Sequence, residues 1–291
     1  MKPKYTPYIF IAPAIILLSI FLFLPVIVSF ILSLSNFDVH CLGDFRNTKF
    51  VFLQNYIKLL SDPLFWKAVR NTLYFAFVGV PLSIAVSLLA ALLLNSPLIK
   101  FRNYFRTGYF TPVVTTLVAV AVVWRWLYHY EYGAINYFLK LLDLQPVRWL
   151  EDPRWAMPAI IIMAVWKNFG YNMVIFLAGL QAIPSTYYEA ASIDGADEVK
   201  SFFYITLPLL KPTTLFVFIT TTIGYLQLFA EPYIMTQGGP LNSTLSIVQY
   251  MYNHGFKFFN LGYASAISYV LFLMIFCFSI IQMKIGKLYE R

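Results

Sequence analysis

Residues Glu189 to Pro212 read EAASIDGADEVKSFFYITLPLLKP, and the stretch is out of keeping with its surroundings. The segments before and after it are almost pure hydrocarbon, yet it carries Glu189, Asp194, Asp197, Glu198 and Lys200. A bilayer rejects such a cluster, because each charge at its centre costs roughly 2.5–3.5 kcal/mol on insertion scales. The stretch therefore belongs in water on one side of a membrane. It also reads as folded. Thr186-Tyr187-Tyr188-Glu189 has the T-x-x-E form of a capping box. Ala190 and Ala191 favour helix, and Gly195 suits a helix end at positive φ. A second short helix is expected from Ala196 to about Ile205, stopped at Leu207-Pro208.

Working outward, six apolar segments are long enough to cross a bilayer as helices, near 9–34, 68–94, 108–128, 155–180, 213–235 and 263–283. They are continuous apolar runs, without the alternation of a membrane β-barrel. The first is too long for a secretory signal and is read as an uncleaved span. The expected fold class is therefore all-α integral membrane, one transmembrane domain over 1–291. The chain has 291 residues, 60% hydrophobic and 12% charged. A soluble domain would carry about a quarter charged residues. The formal charge of +8 reflects basic residues at span ends. It forms no basic stripe of nucleic-acid type.

Short connections set the orientation. Lys100, Arg102 and Arg106 lie in the loop 95–107, Lys2 and Lys4 at the start, and Lys284, Lys287 and Arg291 against Glu290 in the tail. The positive-inside rule places all three on the cytoplasmic side, and the Glu189–Pro212 elbow with them. The outer loops are then 35–67, 129–154 and 236–262. The first has room for a small helix around Leu53–Leu60, and Trp149 and Trp155 suit an interfacial belt. Cys41 and Cys277 are far apart, and His40, His129 and His254 are scattered, so no disulfide or metal pattern emerges. None of the 13 glycines belongs to a G-x-x-x-x-G-K-[ST] phosphate loop.

Glu189-Ala190-Ala191, Asp194-Gly195-Ala196, Phe202 or Phe203, Ile205, Leu207-Pro208 and Pro212 together resemble the EAA loop of the membrane subunits of binding-protein-dependent ABC importers. Trp166-Lys167-Asn168-Phe169-Gly170-Tyr171 and Leu177-Ala178-Gly179-Leu180-Gln181 are similar to the span before that loop in the carbohydrate branch, the maltose/lactose/glycerol-phosphate permease type. Thr236-Gln237-Gly238-Gly239-Pro240 with Asn242-Ser243-Thr244 resembles the segment after the next span. The resemblance covers most of residues 9–283. It implies the type I permease fold, with six spans and a cytoplasmic coupling loop at 184–212 between the fourth and fifth. Glu189, Ala190, Ala191, Asp194, Gly195, Ala196, Leu207 and Pro208 would meet an ABC ATPase dimer. ATP and Mg would sit on that ATPase, leaving this chain non-catalytic and without a cofactor. A second homologous permease, an extracytoplasmic solute-binding protein and a sugar complete the implied partners, in a bacterial or archaeal cytoplasmic (inner) membrane with both termini cytoplasmic.

Polar residues within spans are the other pointer to function. Lys167, Asn168, Tyr171 and Asn172 punctuate the fourth span. Thr221, Tyr225 and Gln227 punctuate the fifth, with Glu231 nearer its outer end. Thr221 and Tyr225 are four apart and share a face. Amides, hydroxyls and aromatic rings are what a sugar needs, and the resemblance carries substrate contact to Lys167, Asn168, Tyr171, Thr221 and Tyr225. Gln227 joins them on polarity. The same groups also serve as hydrogen-bonding glue between helices. Lys167 needs compensation from a watery cavity, from Glu231 or from an acidic sugar. Pro81, Pro112 and Pro158 are candidate kinks. The alternative function is an ion-coupled secondary transporter of a small polar solute, which would favour intramembrane carboxylates and repeats. A membrane enzyme lacks any convergent His, Cys, Asp and Glu set.

Overall fold

The computed structural model describes residues 6–43, 48–96 and 99–288, with the side chains of 6–7, 42–43 and 287–288 set aside. Lys2, Lys4, Glu290, Arg291 and the Lys287 side chain, used above for orientation, lie outside the described residues. In chain order the helices are α1 (Tyr8–Ser33), α2 (Val39–Gly43), α3 (Gln54–Leu60), α4 (Pro63–Asn95), α5 (Arg102–Val114), α6 (Leu117–Leu127), α7 (Ala134–Leu141), α8 (Ala156–Gln181), α9 (Ser185–Ile193), α10 (Glu198–Leu209), α11 (Lys211–Leu226), α12 (Ala230–Met235), α13 (Ile247–Tyr252) and α14 (Leu261–Leu288). Four of them, α1, α4, α8 and α14, are long and apolar enough to cross a membrane. The bent pairs α5–α6 and α10–α11 raise that to six.

Contacts gather the chain into two units, Met1–Trp66 with Tyr250–Met274, and Lys67–Gln249 with Ile275–Arg291. In the first, α1 buries none of its most apolar stretch, so lipid or another chain must serve as its solvent. The short helix expected around 53–60 is α3. Asn55 on α3 donates to the carbonyls of Ser33 and Ser35 at 2.9 and 2.8 Å. Asp62 then caps α4, accepting from the Leu64 N–H at 2.8 Å, and takes hydroxyl bonds from Tyr250 and Tyr263. Partial burial pushes the Asp62 carboxyl up. Bonds from Tyr250, the Leu64 N–H, Tyr263 and the Phe65 N–H outweigh this and hold it below the usual carboxylate range. A depressed carboxylate contributes stability that is complete above its unfolded value and is lost as pH falls through the folded one. Thermal midpoints measured from pH 6 downward are expected to fall below about pH 4, with a smaller acid-side drop in Asp62→Asn.

In the second unit α8 is the central element, with 61% of its most apolar stretch buried. Ile160, Met163, Met173 and Phe176 are enclosed. Pro158 falls in its first turn, where the N–H groups have no intrahelical partner in any case. In the outer loop 129–154, Asn136 is fully buried on α7 and bonds the Tyr130 carbonyl, both backbone groups of Val147 and the Trp149 indole. Trp149 is thereby fixed within the loop through its indole N–H, which donates to Asn136 Oδ1 at 3.0 Å. The loop after α12 is fastened to α4 by Asn71, which donates to the Asn242 and Leu245 carbonyls at 2.9 and 3.0 Å.

Several local expectations need correction. The region expected as a third span, 108–128, is not one straight helix. α5 and α6 meet at a 97° elbow. Thr115 and Thr116 are extended there, with ψ of 140° and 135°. Pro112 lacks an N–H, and four β-branched residues follow it, Val113 to Thr116, all poor at propagating helix. The region expected as a fifth span, 213–235, breaks after Leu226, and α12 begins anew at Ala230. Continuing α11 would bury Pro232 mid-helix; the break puts it in a first turn. The capping box does not form. α9 begins at Ser185 after Pro184, so Thr186 already lies inside the helix and no side chain caps it. Nor does Pro208 stop the second short helix. It occupies an early position of a turn that follows a π segment at Phe202–Thr206, and the chain bends by 62° only at Leu210.

Candidate functional site: a polar cavity and an exposed elbow

The breaks at 115–116 and 227–229 open a cavity of about 470 Å³ among α4, α5, α6, α8, α11 and α12. Asn168, Tyr171, Thr221, Tyr225 and Gln227 all line it, together with Phe75, Asn172, Thr220, Phe229 and Glu231. Asn172 is nearly fully buried. Its amide donates to Thr221 Oγ1 at 3.0 Å and Ser83 Oγ at 3.4 Å, joining α8 to α11 and α4. So Thr221 serves as cavity wall and helix glue at once. Tyr225 stacks on Phe75, centroids 4.9 Å apart and planes 27° apart. Ser83 and Asn168 stand beside the Tyr225 hydroxyl, yet neither meets hydrogen-bond geometry, so that O–H has no partner among the described residues. An unsatisfied buried hydroxyl costs about 1–3 kcal/mol, and a ligand hydroxyl would relieve it.

Lys167 is not among the lining residues. Its ammonium turns to the C-terminal end of α5 and donates to the carbonyls of Pro112 and Val113 at 3.2 and 3.4 Å. Those carbonyls lose their helical acceptor role at the elbow, since the extended Thr115 and Thr116 turn the following N–H groups away. The lysine is a helix terminator in space, a role that span polarity alone could not distinguish from substrate contact. Phe75 and Phe229 were missed from the sequence because an aromatic within an apolar run carries no signal of its own. Glu231, noticed as a charge near a span edge, is brought into the cavity by the break before α12.

The second candidate region is the elbow at 184–212. α9 carries Glu189, Ala190 and Ala191 and has no buried residue. Its end is a Schellman turn. Asp194 is the C-cap, Gly195 has φ +76°, and the N–H groups of Ala196 and Gly195 reach the carbonyls of Ala191 and Ser192 at 2.8 and 3.1 Å. Asp197 then caps α10 through the Lys200 N–H at 2.7 Å. Tyr188 and Thr206 share a hydroxyl bond of 2.9 Å that ties α9 to α10. Leu207 and Pro208 are half-buried at the far end. Ile193 is 88% exposed and Tyr204 80% exposed. The elbow is thus a fixed hairpin of helices that presents apolar tips outward.

Apolar helices that enclose hydroxyls, amides and a solute-sized void define an integral membrane transport protein. Residues 83–287 match the family described as binding-protein-dependent transport system inner membrane component, and the chain belongs to it. The lactose transport system permease protein LacF of Rhizobium radiobacter is 41% identical over 280 residues, covering 94% of this chain and 92% of that protein. The trehalose/maltose transport system permease protein MalF of Thermococcus litoralis is 38% identical over 280 residues, covering 96% and 93%. Among solved structures, a bacterial ABC transporter involved in the import of the acidic polysaccharide alginate has a chain that aligns with a TM-score of 0.82. That match has 22% identity and covers 98% of this chain and 96% of that one. At that identity the likeness speaks for the fold, which is the all-helical type I importer permease.

Proposed function

We propose that this chain is the permease subunit of an ATP-driven, binding-protein-dependent importer of a sugar or oligosaccharide. It forms half of the translocation pathway and takes its motion from an ATPase through the 184–212 elbow. Relatives named for lactose and for trehalose/maltose support a saccharide, and the cavity's amides, hydroxyls and stacked rings suit one. The partners are a second homologous permease, an ABC ATPase dimer that holds ATP and Mg, and an extracytoplasmic solute-binding protein. This chain performs no catalysis and binds no cofactor. It resides in a bacterial or archaeal cytoplasmic membrane with both termini and the elbow in the cytoplasm.

The observation that carries this reading is α9, a helix with no buried face that ends in a rigid glycine turn. A solvated helix of nine residues is marginal alone, so it gains its purpose from a partner's groove. A Cβ at Gly195 meets no neighbour within 4 Å, but a β-branched residue there is strained by the positive φ. Gly195→Val is therefore expected to leave the membrane helices folded while lowering substrate-stimulated ATP hydrolysis by the purified complex by about tenfold or more, for roughly 1–2 kcal/mol of strain at the joint. Normal assembly and normal stimulated hydrolysis in that variant would refute the coupling role. Uptake into proteoliposomes driven by an ion gradient without any ATPase would instead favour a secondary transporter.

A further inference from the structure

We propose that a cavity between the first turns of α4 and α8 and the loop after α12 is a site for the phosphate of an anionic phospholipid. The cavity holds about 410 Å³. Arg70 and Arg154 both line it, and no carboxylate does. Neither guanidinium meets an acceptor among the described residues. Asp152, the acid nearest Arg154 in sequence, turns an oxygen to the Arg154 backbone N–H at 2.8 Å. Lys67 donates to the Leu241 carbonyl at 2.6 Å, and Asn71 to those of Asn242 and Leu245. These bonds hold the loop against α4, so the cavity keeps its shape without a ligand. Ser243 on that loop also lines it, and the Ser243 hydroxyl is buried with no partner among the described residues. Two guanidinium forks and a spare hydroxyl, with no anion in the lining, are the complement of an oxyanion.

Depth identifies where that oxyanion comes from. Phe75–Leu94 of α4 carries no charged residue and has the length, about 20 residues, that crosses a hydrocarbon core. Arg70 lies just over a turn before that stretch, and Arg154 two residues before α8 begins. The cavity therefore sits at the level of lipid phosphates. The other end of α8 leads into the 184–212 elbow, so this is the opposite membrane face. Tyr74 marks the boundary with an amphipathic ring, and Met157 and Pro158 add an apolar wall for the glycerol and first acyl carbons. A soluble phosphate or an acidic side chain of a soluble protein must enter the headgroup layer to reach these groups, where a lipid phosphate already resides. The proposal needs only that α4 and α8 cross a bilayer, and so stands apart from the sugar-permease reading.

The test places the whole importer complex in phosphatidylcholine nanodiscs with a trace of photoactivatable phosphatidylglycerol, and maps the labelled peptides of this chain. Label is expected in residues 67–74 and 153–158. Unlabelled phosphatidylglycerol should compete it away, and added phosphatidylcholine, inorganic phosphate or glycerol phosphate should not. The double variant Arg70→Gln with Arg154→Gln should lose about tenfold in labelling there, for the loss of charge-assisted bonds. Arg148→Gln removes a charge outside this cavity and should leave the labelling unchanged. Label absent from both segments, label undiminished in the double variant, or equal competition by phosphatidylcholine would overturn the proposal. Competition by free phosphate would overturn it in favour of a soluble anion, and loss of the label on adding the solute-binding protein in favour of a protein contact. If the double variant fails to assemble, the competition series on the wild type decides.

Discussion

Gly170→Ala is expected to disrupt the second unit as severely as any single methyl can. Gly170 is buried on α8 against α5, and a Cβ there would run into the Tyr109 carbonyl oxygen, with the Tyr109 carbonyl carbon at 3.0 Å and the Phe110 Cα at 3.3 Å. All three are backbone atoms, so no side chain can rotate aside. Overpacking of this kind costs about 1–3 kcal/mol when the surroundings can shift, and here the helix itself must move. The displaced helix α5 carries Pro112 and Val113 at the cavity's edge, so uptake should fall together with stability. Thermal unfolding of the detergent-purified complex measures the first, and proteoliposome uptake the second. A melting profile equal to wild type would show that α5 and α8 do not pack through this contact.

The second large effect is at Tyr225, where two substitutions separate packing from recognition. Tyr225→Ala deletes a ring stacked on Phe75 at 4.9 Å and enclosed in the hydrophobic cluster with Ile160, Ile161 and Leu226. Loss of a buried aromatic costs about 3–5 kcal/mol. Tyr225→Phe keeps the ring and removes a hydroxyl that has no partner among the described residues. Its stability should match or slightly exceed wild type. The apparent KM for the transported sugar should rise by about tenfold, the worth of one hydrogen bond near 1.4 kcal/mol. A normal KM in Tyr225→Phe would mean that the hydroxyl does not contact substrate.

Much of this was legible in the sequence, and the rest was hidden for identifiable reasons. Long apolar runs announce helices because lipid leaves the backbone no other solution, and α1, α4, α8 and α14 follow directly. The glycine turn at Gly195 was readable because few residues tolerate its φ. Pro112 was readable as a candidate kink, but the 97° elbow just beyond it was not, because hydropathy averages over a window and is blind to direction. Asn168 and Tyr171 could be singled out as polar atoms in apolar company. Whether such an atom faces a void, as Asn168 does, or a neighbouring helix end, as Lys167 does, depends on a bend more than fifty residues away in sequence. The T-x-x-E pattern at Thr186 failed because the helix is capped at Pro184, two residues before the position Thr186 would need to fill.

The hold of Lys167 on the Pro112 and Val113 carbonyls changes how mutants at that position must be interpreted. A methionine there would fill the same space but strand two acceptors in an apolar interior. Lost uptake in such a mutant would report a collapsed hinge and say nothing about cargo affinity. The diagnostic replacement is arginine, whose forked guanidinium can still bridge both oxygens.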